Sequence, residues 1–141
     1  MSPSLLAKQE KIKALFAQCT SHDEIYSKII ELGKGLASLD AIDRTSENLV
    51  RGCQSIVYLC STFDEGVITF RAEADALISA GLVVLLISVY SGEDPETIIK
   101  YPPDFLEELG VVASLTPSRA NGLYNIHLRM KQDAVKFLCR L

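Results

Sequence analysis

Cysteine and histidine are the residues of this chain best suited to chemistry. There are four of the first (Cys19, Cys53, Cys60 and Cys139) and two of the second (His22 and His127). A thiolate can serve as nucleophile, metal ligand or redox centre, and its surroundings decide which. No two cysteines form a CxxC pair, and no histidine lies near Cys53 in sequence. A tetrahedral zinc site usually shows as short paired ligand spacings, so no zinc is expected. An extended segment from Cys53 to Cys60 spans roughly 23 Å at about 3.3 Å per residue. A disulfide needs about 4.4–6.8 Å between Cα atoms, so that bridge is not expected.

Cys53 stands apart. It sits in Arg51-Gly52-Cys53-Gln54-Ser55, between a polar loop and an apolar strand-like run. Gly52 frees the backbone, and a loop end presents a side chain where a helix interior does not. The adjacent Arg51 would favour thiolate over thiol. The competing reading is a small hydrophobe packed at a strand start. The residues alone leave both open. Cys60 falls among Val57, Tyr58 and Leu59, Cys19 ends a helical run and Cys139 lies near the C-terminus, so packing is their expected role. His22 falls at a helix start and His127 inside a helix, and nothing brings either to Cys53. The sequence contains no GxGxxG, Walker A or GxSxG pattern.

The elements that must position Cys53 follow from periodicity and punctuation. Leu5, Ile12, Leu15 and Phe16 share one helical face, which predicts a first helix over about 4–18. Ser21 precedes Glu24 by three, a capping-box pattern. It predicts a second helix carrying Ile25, Ile29 and Leu32 and ending near Gly33 or Gly35. Residues 40–48 read as a loop. Ile56 to Phe63 reads as a strand with both faces covered. Asp64-Glu65-Gly66 is a turn signal, and Val67 to Ala72 alternates, which completes a hairpin. Ala76 to Tyr90 reads as a buried helix. Asp94-Pro95 and Thr116-Pro117 are cap-then-proline starts. They predict a short helix to about Lys100 and a last helix to about Cys139, with another short helix over 104–109. Helices, a hairpin, then helices predict an α+β layer with a small antiparallel sheet.

The chain has 141 residues, 48% of them apolar and 23% charged, which suits a single globular domain over 1–141. A net charge of -4 gives no nucleic-acid footprint. The start, Met1-Ser2-Pro3-Ser4, lacks the basic and apolar regions of a signal peptide, so reduced thiols and a cytoplasmic location are expected. The most apolar stretch, 76–90, is shorter than the ~20 residues of a membrane span. Six acids cluster between Glu93 and Glu108, while Arg119, Arg129, Lys131, Lys136 and Arg140 fall in the last helix region. Those cations suit a helix C-terminal dipole, and the same polarity would orient a protein partner.

Four blocks resemble a known family. Asn48-Leu49-Val50-Arg51-Gly52-Cys53-Gln54-Ser55-Ile56-Val57-Tyr58 closely resembles the signature of SufE, the sulfur acceptor of SufS-type cysteine desulfurases. Ile29 to Gly33 looks like that family's IIELG helix. Ala72 to Leu82 resembles its ADSDA…GL segment. Leu115 to Leu123 matches its LTPSR.NGL motif. Tyr58 stands where the family commonly has Trp, and Ala74 where Ser is common.

The resemblance implies a small α+β fold like that of IscU-type scaffolds. It also implies a role. Cys53 would accept sulfur as a persulfide from a SufS-type cysteine desulfurase, stimulate that enzyme and pass sulfur to iron–sulfur assembly. The chain would be a sulfurtransferase-type carrier and activator, not a stand-alone enzyme. It would need no metal or cofactor of its own, since pyridoxal phosphate belongs to the partner. Arg51, Gly52, Gln54 and Ser55 would form the loop that meets the partner, with Arg119 beside them. Exchange at sulfur depends on thiolate fraction and access. A second nearby thiol would resolve the persulfide, and the remote spacing of the other cysteines avoids this. Two other classes remain at this level. A scaffold binding the cluster itself usually needs several thiolates in one site. A thiol peroxidase or redox sensor usually needs a resolving cysteine.

Overall fold

The structure, a computed structural model, describes residues 2–140. It contains six α-helices and one two-stranded antiparallel sheet among those residues, an α+β fold. The helices are α1 (Pro3–Phe16), α2 (His22–Gly33), α3 (Leu77–Tyr90), α4 (Pro95–Lys100), α5 (Asp104–Glu108) and α6 (Pro117–Leu138). The strands are β1 (Val57–Asp64) and β2 (Val67–Ala74), paired from Val57 opposite Ala74 to Asp64 opposite Val67. Glu65 and Gly66 both have positive φ, as a type I′ hairpin turn requires.

The predicted starts are present as side-chain caps. Ser21 Oγ accepts from the Glu24 N–H at 3.1 Å, Asp94 Oδ1 from Thr97 at 2.8 Å and Thr116 Oγ1 from Arg119 at 3.3 Å. The capping box is shifted by one residue. The Glu24 carboxylate returns to the Thr20 N–H, not to that of Ser21. In α1 the buried stripe is Leu5, Gln9, Ile12 and Phe16, while Leu15 is 41% exposed. A spacing of four, three and four follows the helical period more closely than a stripe through Leu15 does. The predicted two-sided burial of β1 holds only near its start. Val57, Leu59 and Cys60 are buried, but Thr62 and Asp64 are exposed. The polar loop over 40–48 contains two 3-10 turns, Ala41–Asp43 and Ser46–Asn48.

The core forms around α3, whose Leu82, Val83, Leu85, Leu86, Val89 and Tyr90 are all buried. A helix apolar on every side needs neighbours on every side, and α1, α2, α6 and β2 pack against it. The α2–α3 contact is close enough to require Gly81, since a Cβ there would lie 2.0 Å from the Ile29 carbonyl oxygen. This packing sets α3 and α6 side by side, and the Cys53 loop runs across their N-terminal ends.

Candidate functional site

The segment over 49–56 bends between the 3-10 turns and β1. Its start is bound to the sheet. The Val50 N–H donates to the Val57 carbonyl at 2.8 Å, and Leu49 bridges to Tyr58. Its end is bound to the stretch before α3. Ile56 donates to Asp75 Oδ1 at 2.9 Å, and the Asp75 N–H returns to the Ile56 carbonyl at 3.1 Å. Between these points the chain turns at Gly52, whose φ is +81°. That value is open to glycine and strained for other residues.

Cys53 is partly buried, and its thiol faces the Gly122 carbonyl of α6 at 3.8 Å, a weak contact for a sulfur donor. Burial pushes the thiol above its ordinary pKa, so the resting group is protonated at neutral pH. Arg51 does not act as its position in sequence suggests. It is exposed and lines the neighbouring cleft, and burial is the cause that governs the thiol. Gln54 is exposed and Ser55 partly buried.

Arg119 reaches this region through an intermediary. Its Nη1 donates to Ser79 Oγ at 2.8 Å, and Ser55 Oγ donates to the same oxygen at 2.5 Å. The first turn of α6, the first turn of α3 and the loop are thus joined at one hydroxyl. Asn125 Nδ2 donates to the Gly52 carbonyl at 2.8 Å. Arg129 donates from Nη1 to the Leu49 carbonyl at 3.1 Å and from Nη2 to that of Glu47. The sequence reading missed Asp75, Ser79, Asn125 and Arg129 as parts of the site. A signal existed for two of them: Asn125 and Arg129 lie three and seven residues after Gly122, on one helical stripe.

The other thiols and imidazoles stay apart from this arrangement. Cys60 is buried, accepts from the Asn48 amide at 3.4 Å and faces the Asp43 carbonyl at 3.8 Å. All four sulfurs are free of disulfide bonds. His127 is buried on α6 with its ring 5.0 Å from that of Tyr90. Among the described residues there is no group of three or more His, Cys, Asp or Glu side chains arranged to hold a metal ion. No helix among them is long and apolar enough to cross a membrane.

Exposed apolar side chains flank the loop. Ile56 is 52% exposed and Leu77 48% exposed, on either side of the Ile56–Asp75 pair of hydrogen bonds. The site therefore presents one shielded thiol, an apolar rim and exposed polar residues at Arg51 and Gln54.

Comparison with known proteins bears on the family and the fold. Residues 10–134 match the family model described as SufE, Fe-S metabolism associated domain. An uncharacterized SufE-like protein of Synechocystis sp. is 37% identical over 127 residues, covering 90% of this chain and 80% of its own length. An uncharacterized SufE-like protein of Rhizobium meliloti is 35% identical over 124 residues, 84% of this chain and 89% of its own. SufE-like protein 1 of Arabidopsis thaliana, named chloroplastic/mitochondrial, is 36% identical over 129 residues, 91% of this chain but 35% of its own length. The solution structure of a hypothetical protein from Thermus thermophilus shares the fold. Its TM-score is 0.75 at 21% identity, over 94% of this chain and 96% of that one. The motif around Cys53, the α+β fold and a family match over most of the length agree, and the chain belongs to the SufE family, with a role in iron–sulfur metabolism.

Proposed function

We propose that this protein is a cytoplasmic sulfur carrier whose Cys53 takes a sulfane sulfur from a cysteine desulfurase. It stimulates that enzyme by removing its product and delivers the sulfur to an iron–sulfur assembly scaffold. The supporting observation is the seating of Cys53. Its thiol lies in a loop bound at both ends and is partly buried against Gly122, and the loop ends at the exposed Ile56.

The step itself is an exchange at sulfur. The donor cysteine carries a terminal sulfane sulfur. The Cys53 thiolate attacks that sulfur and a new S–S bond forms on Cys53. The S–S bond to the donor breaks, and the donor leaves as a thiolate that takes up the proton Cys53 gave. No net oxidation occurs, so no redox cofactor is required. Pyridoxal phosphate serves the partner in cleaving the carbon–sulfur bond of free cysteine.

The resting geometry supplies shielding and the partner must supply access. A thiol held protonated by burial is a slow nucleophile. Docking on the apolar rim would draw the loop outward and restore an ordinary thiol pKa. The test is incubation with a cysteine desulfurase and cysteine, followed by peptide mass analysis. One added sulfur on the Cys53 peptide is expected. Added sulfur confined to other cysteines would refute the assignment.

A further inference from the structure

The Cys53 loop crosses one stripe of α6. Gly122, Asn125 and Arg129 line that stripe at spacings of three and four residues, and each holds a different part of the loop. Gly122 faces the thiol, Asn125 holds the Gly52 carbonyl, and Arg129 holds the carbonyls of Leu49 and Glu47.

The holds differ in kind. Arg129 is a charged donor that is itself braced. Its Nε donates to Asp133 Oδ1 at 3.0 Å, and Asp133 Oδ2 accepts from Ser61 Oγ on β1 at 2.5 Å. Val50 beside it is buried and bonded to Val57. Residues 47–50 are therefore tied to the core. At the far end, Ser55 and Ile56 are tied to Ser79 and Asp75. The tip between these anchors is supported differently. Arg51, Gly52 and Gln54 are exposed. A cleft of about 470 Å³ lies beside the tip, bounded by Leu49, Arg51 and Gly52 on the loop and by Asn125 and Arg129 on α6. The tip meets α6 at two points: the partly buried Cys53 packs with its thiol facing Gly122, and one neutral hydrogen bond runs from Asn125 to Gly52.

We propose that Asn125 is a positioning residue for Cys53: its amide latches the Gly52 carbonyl, and release of that bond frees residues 51–54 while Arg129 keeps 47–50 in place. This deepens the sulfur-carrier reading and rests on Cys53 as the working thiol. The latch also accounts for Gly52 in a second way. A Cβ at position 52 would lie 2.4 Å from Asn125 Nδ2, so any side chain there displaces the latch.

The experiment uses the free, full-length protein. Cys53 of Asn125→Ala is alkylated with iodoacetamide and read by peptide mass, alongside hydrogen exchange and thermal melting. One neutral hydrogen bond is worth about fivefold in an equilibrium, so Cys53 alkylation should quicken about fivefold. Exchange should stay unchanged over 47–50, where the N–H groups of Asn48, Leu49 and Val50 are hydrogen-bonded. The pH midpoint of the alkylation rate should fall towards that of an ordinary thiol, with melting unchanged. Asn125→Leu keeps the size and removes the donor without adding a charge. It should quicken Cys53 alkylation in the same way, and it serves as the check if the alanine variant misfolds. An unchanged alkylation rate of Cys53 in the variants that fold overturns the proposal, and so does faster exchange at the hydrogen-bonded amides of 47–50. None of these readouts involves a desulfurase. Failure of Cys53 to gain sulfur would refute the carrier reading and leave the latch standing, and an inert latch would leave the carrier reading standing.

Discussion

Arg119 and Ser55 never touch, yet they share an atom: both donate to Ser79 Oγ, at 2.8 Å and 2.5 Å. The start of α6 thus feels the state of the Cys53 loop through one hydroxyl on α3. Arg119→Ala should lower desulfurase stimulation severalfold while costing about 1 kcal/mol of stability, the worth of a single hydrogen bond. The checks are sulfide release under reductant and a denaturant melt. Unchanged release with an unchanged melt would make Arg119 an ordinary surface cation.

Cys53→Ser should abolish both the added sulfur and the stimulation. Cys19→Ser and Cys139→Ser should leave most of each, because neither thiol belongs to the loop. Cys60→Ala should also keep most stimulation but lose about 1 kcal/mol, since Cys60 is buried beside Asn48. A Cys53→Ser protein that stimulates as well as the parent would sink the assignment.

Acid sensitivity should arise from a residue outside the site. His127 is 5% exposed, and its Nε2 has no hydrogen-bond partner. Burial, with a smaller contribution from Lys131, lowers its pKa from 6.5 to about 4. The unfolded chain therefore binds the proton more readily between those values. Stability contributed by neutral His127 is fully present above about pH 6.5 and is lost as pH falls towards 4. The full loss is on the order of 3 kcal/mol. His127→Phe, which keeps a ring against Tyr90, should flatten the difference between melts at pH 7 and pH 4.5. Equal pH dependence in the two proteins would refute this.

Close helix packing makes one glycine intolerant and leaves another free. A Cβ at Gly81 would meet the Ile29 carbonyl oxygen at 2.0 Å, whereas at Gly35 the nearest atom would be 3.5 Å away. Gly81→Ala should cost at least about 2 kcal/mol, because backbone must move to admit the methyl. Gly35→Ala should fall within about 0.5 kcal/mol of the parent. Denaturant midpoints compare the two directly, and similar values would mean that α2 and α3 separate easily.

What the sequence determined by itself was local. The caps at Ser21, Asp94 and Thr116, the hairpin at Glu65–Gly66 and the buried helix over 77–90 were legible because capping, turn chemistry and periodicity act within a few residues. Cys53 was legible as the thiol to watch from its neighbours and from the family motif. Tertiary structure decided the rest. Gln9 rather than Leu15 completes the buried stripe of α1. Burial against Gly122, not the neighbouring Arg51, sets the state of the thiol. Asp75, Ser79, Asn125 and Arg129 join the loop from positions 19 to 82 residues away in the chain. No local pattern encodes such pairings. They exist because packing around α3 brings two helix starts and a hairpin end to one place, where backbone carbonyls and a buried thiol need partners that their own segment cannot supply.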